Sequence, residues 1–306
     1  TEVHHVNGEG ADEGVVYCEM QGVENNASSL GYHTQMEAMF SGSSYASNTG
    51  GRVCDLRKLS VEKVRSFHKK YYRPDNICVV ISGEVSPEDA FKSLEPVEAK
   101  LIEKNMVLEN LPKFDRPFTK PIPKLEETKT QETFFPANDE DGGCIVHIQW
   151  RLCDWDDFMK RTAMHVLLKY LNESSVSPIT KTFVETEEPY AGDSSVYIHA
   201  LRECTASVIF SNVDSEKCDL IIPKYFELIN EILKDGIDMD RMARVLKKRI
   251  ISELSYMEST TDEYYSESIL EHFLYGKEPS SLELSISDLD RYKELQTKDA
   301  SYWQSL

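Results

Sequence analysis

Residues 12–21, Asp-Glu-Gly-Val-Val-Tyr-Cys-Glu-Met-Gln, open an amphipathic segment that continues to about residue 40. Apolar side chains recur along it at intervals of three and four residues, which predicts one long helix with a buried stripe. The stripe consists of Val16, Met20, Val23, Ala27 and Leu30. Asp12 and Glu19 are seven residues apart, or two helical turns, so both carboxylates are predicted on one side of the helix, half inside the fold.

On this prediction Glu19 is a candidate metal ligand, because a half-buried carboxylate needs a cation, a metal ion or hydrogen-bond donors. Without further context, most glutamates at such positions are ordinary surface groups. Asp12 has an equally simple interpretation as the residue that caps the N-terminus of the helix. The sequence offers no pair of histidines suited to share a metal, and His4-His5 reads as part of a β-type run.

The composition describes a globular protein and disfavours several classes of partner. The chain has 306 residues, of which 40% are hydrophobic and 28% charged, and its formal net charge is −19. This acidic balance argues against a general binder of nucleic acid or of anionic membranes, and it is compatible with basic peptides. No apolar run in the sequence approaches membrane-spanning length.

Seven cysteines are dispersed along the chain, and no two of them have C-x-x-C spacing. An odd and dispersed set predicts reduced thiols in a reducing compartment and gives no signal for a zinc ribbon. The sequence begins at Thr1 and shows no targeting peptide. We expect this beginning to have been cut from something longer.

The first part of the chain is predicted to alternate helices with one strand. Ser60 is expected to cap a helix over about residues 61–73, and Ser86-Pro87 is expected to begin another. Between them, residues 77–83 form a continuous apolar run of strand length, which is typical of a strand buried on both faces.

A second unit is predicted after a linker with an entry strand at residues 96–138, where prolines alternate with Lys and Glu. Its predicted elements are a strand at 144–150, a helix capped by residues 154–157, strands near 195–200 and 205–211, and helices at 215–234 and 238–257. This order predicts an α+β fold with mixed, largely antiparallel sheets and helices packed on one face. The predicted domains are residues 1–95, 96–138 and 139–306.

Several of these stretches resemble the pitrilysin/insulinase-type zinc peptidases, in particular a divergent eukaryotic branch related to presequence protease. The run Gly14-Val15-Val16-Tyr17-Cys18-Glu19-Met20-Gln21 resembles the helix that carries their third zinc ligand. Further matching stretches are Tyr45 with Gly50-Gly51, Leu59-Ser60, residues 67–76, Ser82-Gly83, Phe135-Pro136 and residues 139–143. The resemblance implies a fold like that of the mitochondrial processing peptidase, with an incomplete first domain.

The resemblance also implies roles for the two acids. Glu19 falls where the family has its third zinc ligand, and Asp12 falls on an acidic position that supports the site. The other ligands and the general base belong to an inverted H-x-x-E-H motif, which in the family lies some tens of residues earlier. Only eighteen residues precede Glu19 here, so we expect this chain to lack that motif.

The resemblance therefore implies a portion of a zinc metalloendopeptidase that cleaves peptides in an enclosed chamber. The portion is the end of the catalytic domain and a C-terminally truncated second, non-catalytic domain. Its implied partners are peptide substrates and the missing N-terminal segment and C-terminal half of the same protein, with neither nucleic acid nor membrane. Zinc is expected in the full-length protein and not on this chain alone, which is expected to be inactive. The implied location is the cytosol or the mitochondrial matrix.

Two alternatives to this interpretation remain. The protein is alternatively a non-catalytic scaffold of the same family, or the missing residues form a separate chain that completes the site.

Residues 268–273, Ser-Ile-Leu-Glu-His-Phe, resemble the inverted motif with serine in place of the first histidine. Serine is a poor zinc ligand, so Ile269, Leu270 and Phe273 are expected to pack in a core while Glu271 faces water.

Overall fold

The computed structural model describes residues 2–116, 120–136 and 143–306. Its first part is mostly helical after a short antiparallel hairpin, β1 (His5–Val6) and β2 (Asp12–Glu13). The helices of this part are α1 (Val15–Val23), α2 (Ala27–Met39), α3 (Val53–Leu56), α4 (Val61–Tyr71) and α5 (Pro87–Glu103). Within the described ranges, no helix has the length and apolarity needed to cross a membrane.

The second part is built on a three-stranded antiparallel sheet in the order β3-β5-β4. Its strands are β3 (Cys144–Asp154), β4 (Asp193–His199) and β5 (Glu203–Val213). The helices are α6 (Phe158–Asn172), α7 (Pro178–Phe183), α8 (Cys218–Asp235), α9 (Met239–Ser259), α10 (Thr261–Tyr275), α11 (Ser280–Ser285), α12 (Asp288–Leu295) and α13 (Ala300–Gln304). The predicted α+β class with antiparallel sheets is confirmed.

The main hydrophobic core lies between one face of this sheet and the helices α6, α8 and α9. Val146, Ile148 and Trp150 reach it from β3, because alternate side chains of a strand point to the same face. The central strand β5 is the most deeply buried, with Val208 and Phe210 fully enclosed. Each such side chain stabilises the fold by about 1.5–3 kcal/mol.

Helix α2 packs on the opposite face of the sheet, beside β3. Arg151 of β3 joins the two elements, because it donates to the carbonyl oxygen of Met39 in α2 and to Glu203 Oε2 at 3.1 Å. Its guanidinium carbon also lies 5.1 Å from the centre of the Phe40 ring, a cation–π contact. The second face of the sheet is therefore partly covered by the first part of the chain.

The long helix predicted over residues 12–40 is wrong, because the chain forms two shorter helices there. Asn26 interrupts them with an extended backbone, and its side-chain oxygen accepts hydrogen bonds from the N–H groups of Ser28 at 2.9 Å and Ser29 at 3.2 Å. Asparagine is among the strongest N-cap residues, and this local bond ends one helix and begins the next. The apolar periodicity continues through the break and so concealed it.

The buried strand predicted at residues 77–83 is also not formed. Residues 77–82 form neither a helix nor a strand and pair with no strand in the described part of the chain. Ile77, Val79 and Ile81 are each 50–57% exposed. The sequence has the character of a buried strand, but burial requires neighbouring layers, and the described residues leave these three side chains exposed.

The prediction of seven reduced thiols is contradicted by a disulfide between Cys144 and Cys218, whose Cα atoms are 6.7 Å apart. Cys144 begins β3 opposite Val213 at the end of β5, and the chain then turns into α8, whose first residue is Cys218. The sheet register therefore brings together two cysteines that are 74 residues apart in sequence. The other five cysteines are free.

Candidate functional site

Glu19 lies in the middle of helix α1, and the backbone conformation that begins this helix depends on Gly14. Gly14 is the N-cap residue with a φ of 130°, and a Cβ atom there would lie 2.6 Å from the carbonyl oxygen of Val3. Only glycine tolerates both this backbone conformation and this approach. The Glu19 side chain is exposed, not half-buried as predicted, and it has no hydrogen-bond or ion-pair partner among the residues that the structure describes.

Asp12 lies on β2 and not on a helix, so the predicted placement of the two acids on one helical face is wrong. It is not the N-cap residue either, since Gly14 holds that position. Asp12 Oδ1 lies 2.7 Å from His4 Nε2, and Asp12 Oδ2 accepts a hydrogen bond from Arg57 Nε at 3.0 Å. The hydrogen bond with His4, and then the charge of Arg57, hold the pKa of this carboxyl below its ordinary value.

This ion-pair cluster joins the hairpin to α1 and α3. The phenol of Tyr17 accepts a hydrogen bond from Arg57 at 2.6 Å, and the guanidinium carbon lies 5.4 Å from the centre of the Tyr17 ring. Tyr17 is only 1% exposed and packs with Val53 and Leu56. Asp12 therefore orients the elements around α1, whereas its role as support for a metal at Glu19 stays a prediction.

Residues 268–273, which resemble the inverted motif, lie on α10, and their polar side chains bond to neighbouring residues. Ser268 donates to the backbone oxygen of Tyr264 at 3.2 Å, and His272 Nδ1 lies 3.0 Å from the hydroxyl of Ser281. The expectation that Glu271 faces water is wrong, because its carboxylate accepts from Trp155 Nε1 at 2.8 Å and from Arg161 at 3.2 Å.

Leu270, which was expected in a core, is instead 44% exposed. The described residues contain no group of three or more His, Cys, Asp or Glu side chains placed to hold a metal ion. The described chain thus gathers no such group of three around Glu19, and the role of Glu19 as a metal ligand stays a prediction.

Sequence reasoning missed a polar cavity on the helical side of the second unit, which His165 and Lys169 of α6 share with Arg249 of α9. The only sequence signal was the four-residue spacing of His165 and Lys169, which places both on one side of a helix. Burial, followed by the charges of Arg249 and Lys169, lowers the pKa of His165 to about 3.

Acid is therefore expected to destabilise the second unit through His165. Its pKa is about 6.5 when unfolded and about 3 when folded, so the unfolded chain binds the extra proton between these values and stability falls as the pH is lowered through this window. The loss between pH 8 and pH 5 is at most about 2 kcal/mol. Urea denaturation of the wild type and of His165→Gln at both pH values checks this, since the variant should lose less; parallel losses would contradict it.

Comparison with known proteins identifies the family. Residues 58–249 match the family described as Peptidase M16 inactive domain. The chain belongs to the peptidase M16 family. This match covers the helices α4 and α5 and the whole three-stranded sheet of the M16 chain, together with α6 to α8 and half of α9.

Relatives extend over the whole of the M16 chain. Protein C05D11.1 of Caenorhabditis elegans is 32% identical, and the match covers 100% of this chain and 31% of that protein. Protein YOL098C of Saccharomyces cerevisiae is 30% identical, and the match covers 100% of this chain and 30% of that protein. The mitochondrial presequence protease of Schizosaccharomyces pombe is 22% identical over 78% of this chain and 24% of its own length. The M16 chain thus spans about a third or less of the curated relatives that it matches.

Solved structures agree with the fold. The peptidase M16 inactive domain from Pseudomonas fluorescens superposes with a TM-score of 0.69 at 14% identity, covering 95% of this chain and 64% of that one. A protease from Helicobacter pylori gives a TM-score of 0.66 at 15% identity, and the superposition covers 95% of this chain and 66% of that one. At this identity the likeness is one of fold alone.

Proposed function

We propose that this chain is a non-catalytic portion of an M16 zinc metalloendopeptidase and that it supplies Glu19 as one ligand of a zinc site completed by another segment of the longer protein. The observation that carries the proposal is the carboxylate of Glu19, which is exposed and has no partner among the described residues, on a helix whose opposite face is packed. Tyr17, Arg57 and Asp12 hold α1 against α3 and the hairpin. A ligand presented in this way is oriented before the metal arrives.

The metal chemistry belongs to the assembled site. Zinc bound by two histidines and a carboxylate lowers the pKa of its bound water and polarises the scissile carbonyl group of a peptide. In this chain, Glu19 would hold the metal, and the cluster around Asp12 would keep the helix in position. A single carboxylate cannot retain zinc tightly without imidazole partners, so the chain alone should be metal-free and inactive.

Exposed apolar side chains on α4, residues 77–82 and α5 support the proposal that another segment docks on this part of the chain. We call this set the uncovered surface: Val61, Val64, Phe67, Ile77, Val79, Ile81, Phe91, Val97 and Ile102, which are each 41–73% exposed. Neither α4 nor α5 buries a single residue. Exposed apolar side chains in such numbers mark a surface that meets a partner.

The partner that we assign to the uncovered surface is another segment of the same protein. The curated relatives are about three times as long as this chain, so a covering layer is available within one polypeptide. Residues 77–82 would then pair as a strand in a sheet contributed by that segment, which explains an apolar run of strand type without a neighbour here. We place the whole protein in the cytosol or the mitochondrial matrix, with peptides as substrates, as the resemblance to presequence protease suggests.

The metal content of the full-length protein and of this chain tests the proposed function. We expect about one zinc per full-length molecule by plasma mass spectrometry and none in residues 1–306 alone, because the latter offers one ligand. A full-length protein without zinc would overturn the peptidase proposal and leave a scaffold of the same family. Stoichiometric zinc on this chain alone would show that the ligands have been assigned wrongly.

Amide hydrogen exchange tests the docking of the uncovered surface. The amides of residues 77–82 should exchange at least about 100-fold more slowly in the full-length protein than in this chain, because pairing into a sheet protects them. Val79→Asp should abolish that protection, whereas Val176→Asp, at another exposed valine in the second unit, should leave it intact. Equal exchange in both proteins would contradict the docking.

A further inference from the structure

A cavity of about 430 Å³ lies on the helical side of the second unit, between α6, α9, α10, α12 and the end of β4. Its volume is within the range of small-molecule sites. Charged side chains of both signs line it, together with tyrosines and the apolar residues Val196 and Ile198.

Two of the four acids in the cavity are fully engaged by neighbouring donors. Glu271 accepts from Trp155 Nε1 and Arg161, as described above. Asp288 accepts from the hydroxyl of Thr162 at 3.0 Å and from Arg291 at 2.8 Å. Each of these carboxylates is therefore already paired with an arginine and a second hydrogen-bond donor of the protein.

The other two acids are paired with tyrosines. Glu267 accepts from the hydroxyl of Tyr256 at 3.4 Å. Glu253 is 8% exposed and hydrogen-bonded to Tyr264, and burial raises its pKa above the ordinary value. Burial thus favours the neutral form of Glu253.

Arg161 is paired with Glu271, but two other bases of the cavity, Lys169 and Arg249, are not matched in this way. Lys169 and Arg249 have no carboxylate within ion-pair distance in the described ranges. Glu173, four residues after Lys169, forms an ion pair with Lys248 at 3.4 Å. Arg249 bonds to the phenol of Tyr292, but its Nε atom is buried without a partner.

Lys169 and Arg249 also repel each other. Burial, and then the neighbouring charge of Arg249, lowers the pKa of Lys169. Two like charges held together in a partly buried cavity are costly unless an anion lies between them. The cavity therefore has an excess of cationic donors at one wall, beside aromatic and apolar side chains.

We propose that this cavity binds a small organic carboxylate, with Lys169 and Arg249 holding the carboxylate group and the side chains of Tyr256, Val196 and Ile198 contacting its apolar part. A singly charged carboxylate fits better than a phosphate, because the acids in the same cavity repel a doubly charged anion more strongly. A planar carboxylate also matches the fork of an arginine. The site is separate from Glu19 and needs no zinc.

Titration calorimetry of the full-length protein at pH 7 tests the proposal with N-acetyl-leucine, N-acetyl-leucinamide and inorganic phosphate as probes. We expect the acid to bind at least about tenfold more tightly than the amide or phosphate, since the amide lacks the charge that the cations recognise. An amide that binds as tightly as the acid would overturn the proposal. Phosphate binding equal to that of the acid would overturn the assignment to a carboxylate.

The double variant Lys169→Met, Arg249→Met should lose at least about tenfold in affinity for N-acetyl-leucine. Lys247→Met is the matched control, because Lys247 lies on the same helix α9, is exposed, and does not line the cavity; its affinity should equal that of the wild type. Unchanged binding in the double variant would contradict the proposal. If that variant does not fold, the comparison of acid and amide on the wild type decides alone.

Discussion

Replacing Glu19 by glutamine in the full-length protein is expected to weaken zinc binding by more than about 100-fold, which exceeds the roughly 10–100-fold cost of removing an outer partner of a ligand. The amide keeps the size of the side chain but loses the negative charge that zinc requires from a carboxylate ligand. Since Glu19 has no other partner in the described chain, the substitution should leave the fold intact. Competition with a fluorescent zinc chelator measures the affinity.

Glu24→Gln is the matched control, since Glu24 follows α1 directly and is exposed as well. It should bind zinc as tightly as the wild type. Equal losses in both variants would indicate a general effect of negative charge near α1. Unchanged affinity in Glu19→Gln would remove Glu19 from the metal site.

The double variant Cys144→Ser, Cys218→Ser should lose about 4 kcal/mol of unfolding free energy. The disulfide closes a segment of 74 residues, and the loop-closure entropy that it removes from the unfolded chain corresponds to roughly that amount. Urea denaturation followed by tryptophan fluorescence reports on the right region, because the three tryptophans, Trp150, Trp155 and Trp303, all lie in the second unit. A reducing agent should lower the midpoint of the wild type and leave the variant unchanged.

Cys54→Ser is the control for a lost thiol, because Cys54 is free and exposed. Its unfolding free energy should stay within about 0.5 kcal/mol of the wild type, as for other surface substitutions. Thiol titration of the denatured, unreduced protein should give five reactive cysteines and not seven. Seven reactive thiols would contradict the disulfide.

The elements that depend on local chemistry were predictable from the sequence. Ser60 caps α4 by accepting from the N–H of Lys63 at 3.3 Å, and Ser86 caps α5 in the same way through Asp89 at 3.1 Å. The alternation of residues 144–150 became strand β3. Capping and alternation are signals carried by a few neighbouring residues, so no knowledge of the tertiary fold was needed.

The predictions that failed concern features that depend on contacts between residues distant in sequence. Asp12 lies instead in the β1–β2 hairpin and bonds to Arg57, 45 residues away, and the Cys144 disulfide follows from the sheet register. The apolar run at residues 77–83 has strand character, but it pairs with no strand in the described part of the chain. The excess of cations at Lys169 and Arg249 becomes visible only when the partner of each acid in the cavity is known.

Anomalous diffraction at the zinc edge from crystals of the full-length protein tests the central claim most directly. We expect a single anomalous peak within about 2.0–2.2 Å of a carboxylate oxygen of Glu19, with two histidine nitrogens from another segment completing the ligands. A zinc ion bound without Glu19, or no anomalous peak near α1 in zinc-saturated crystals, would contradict the account.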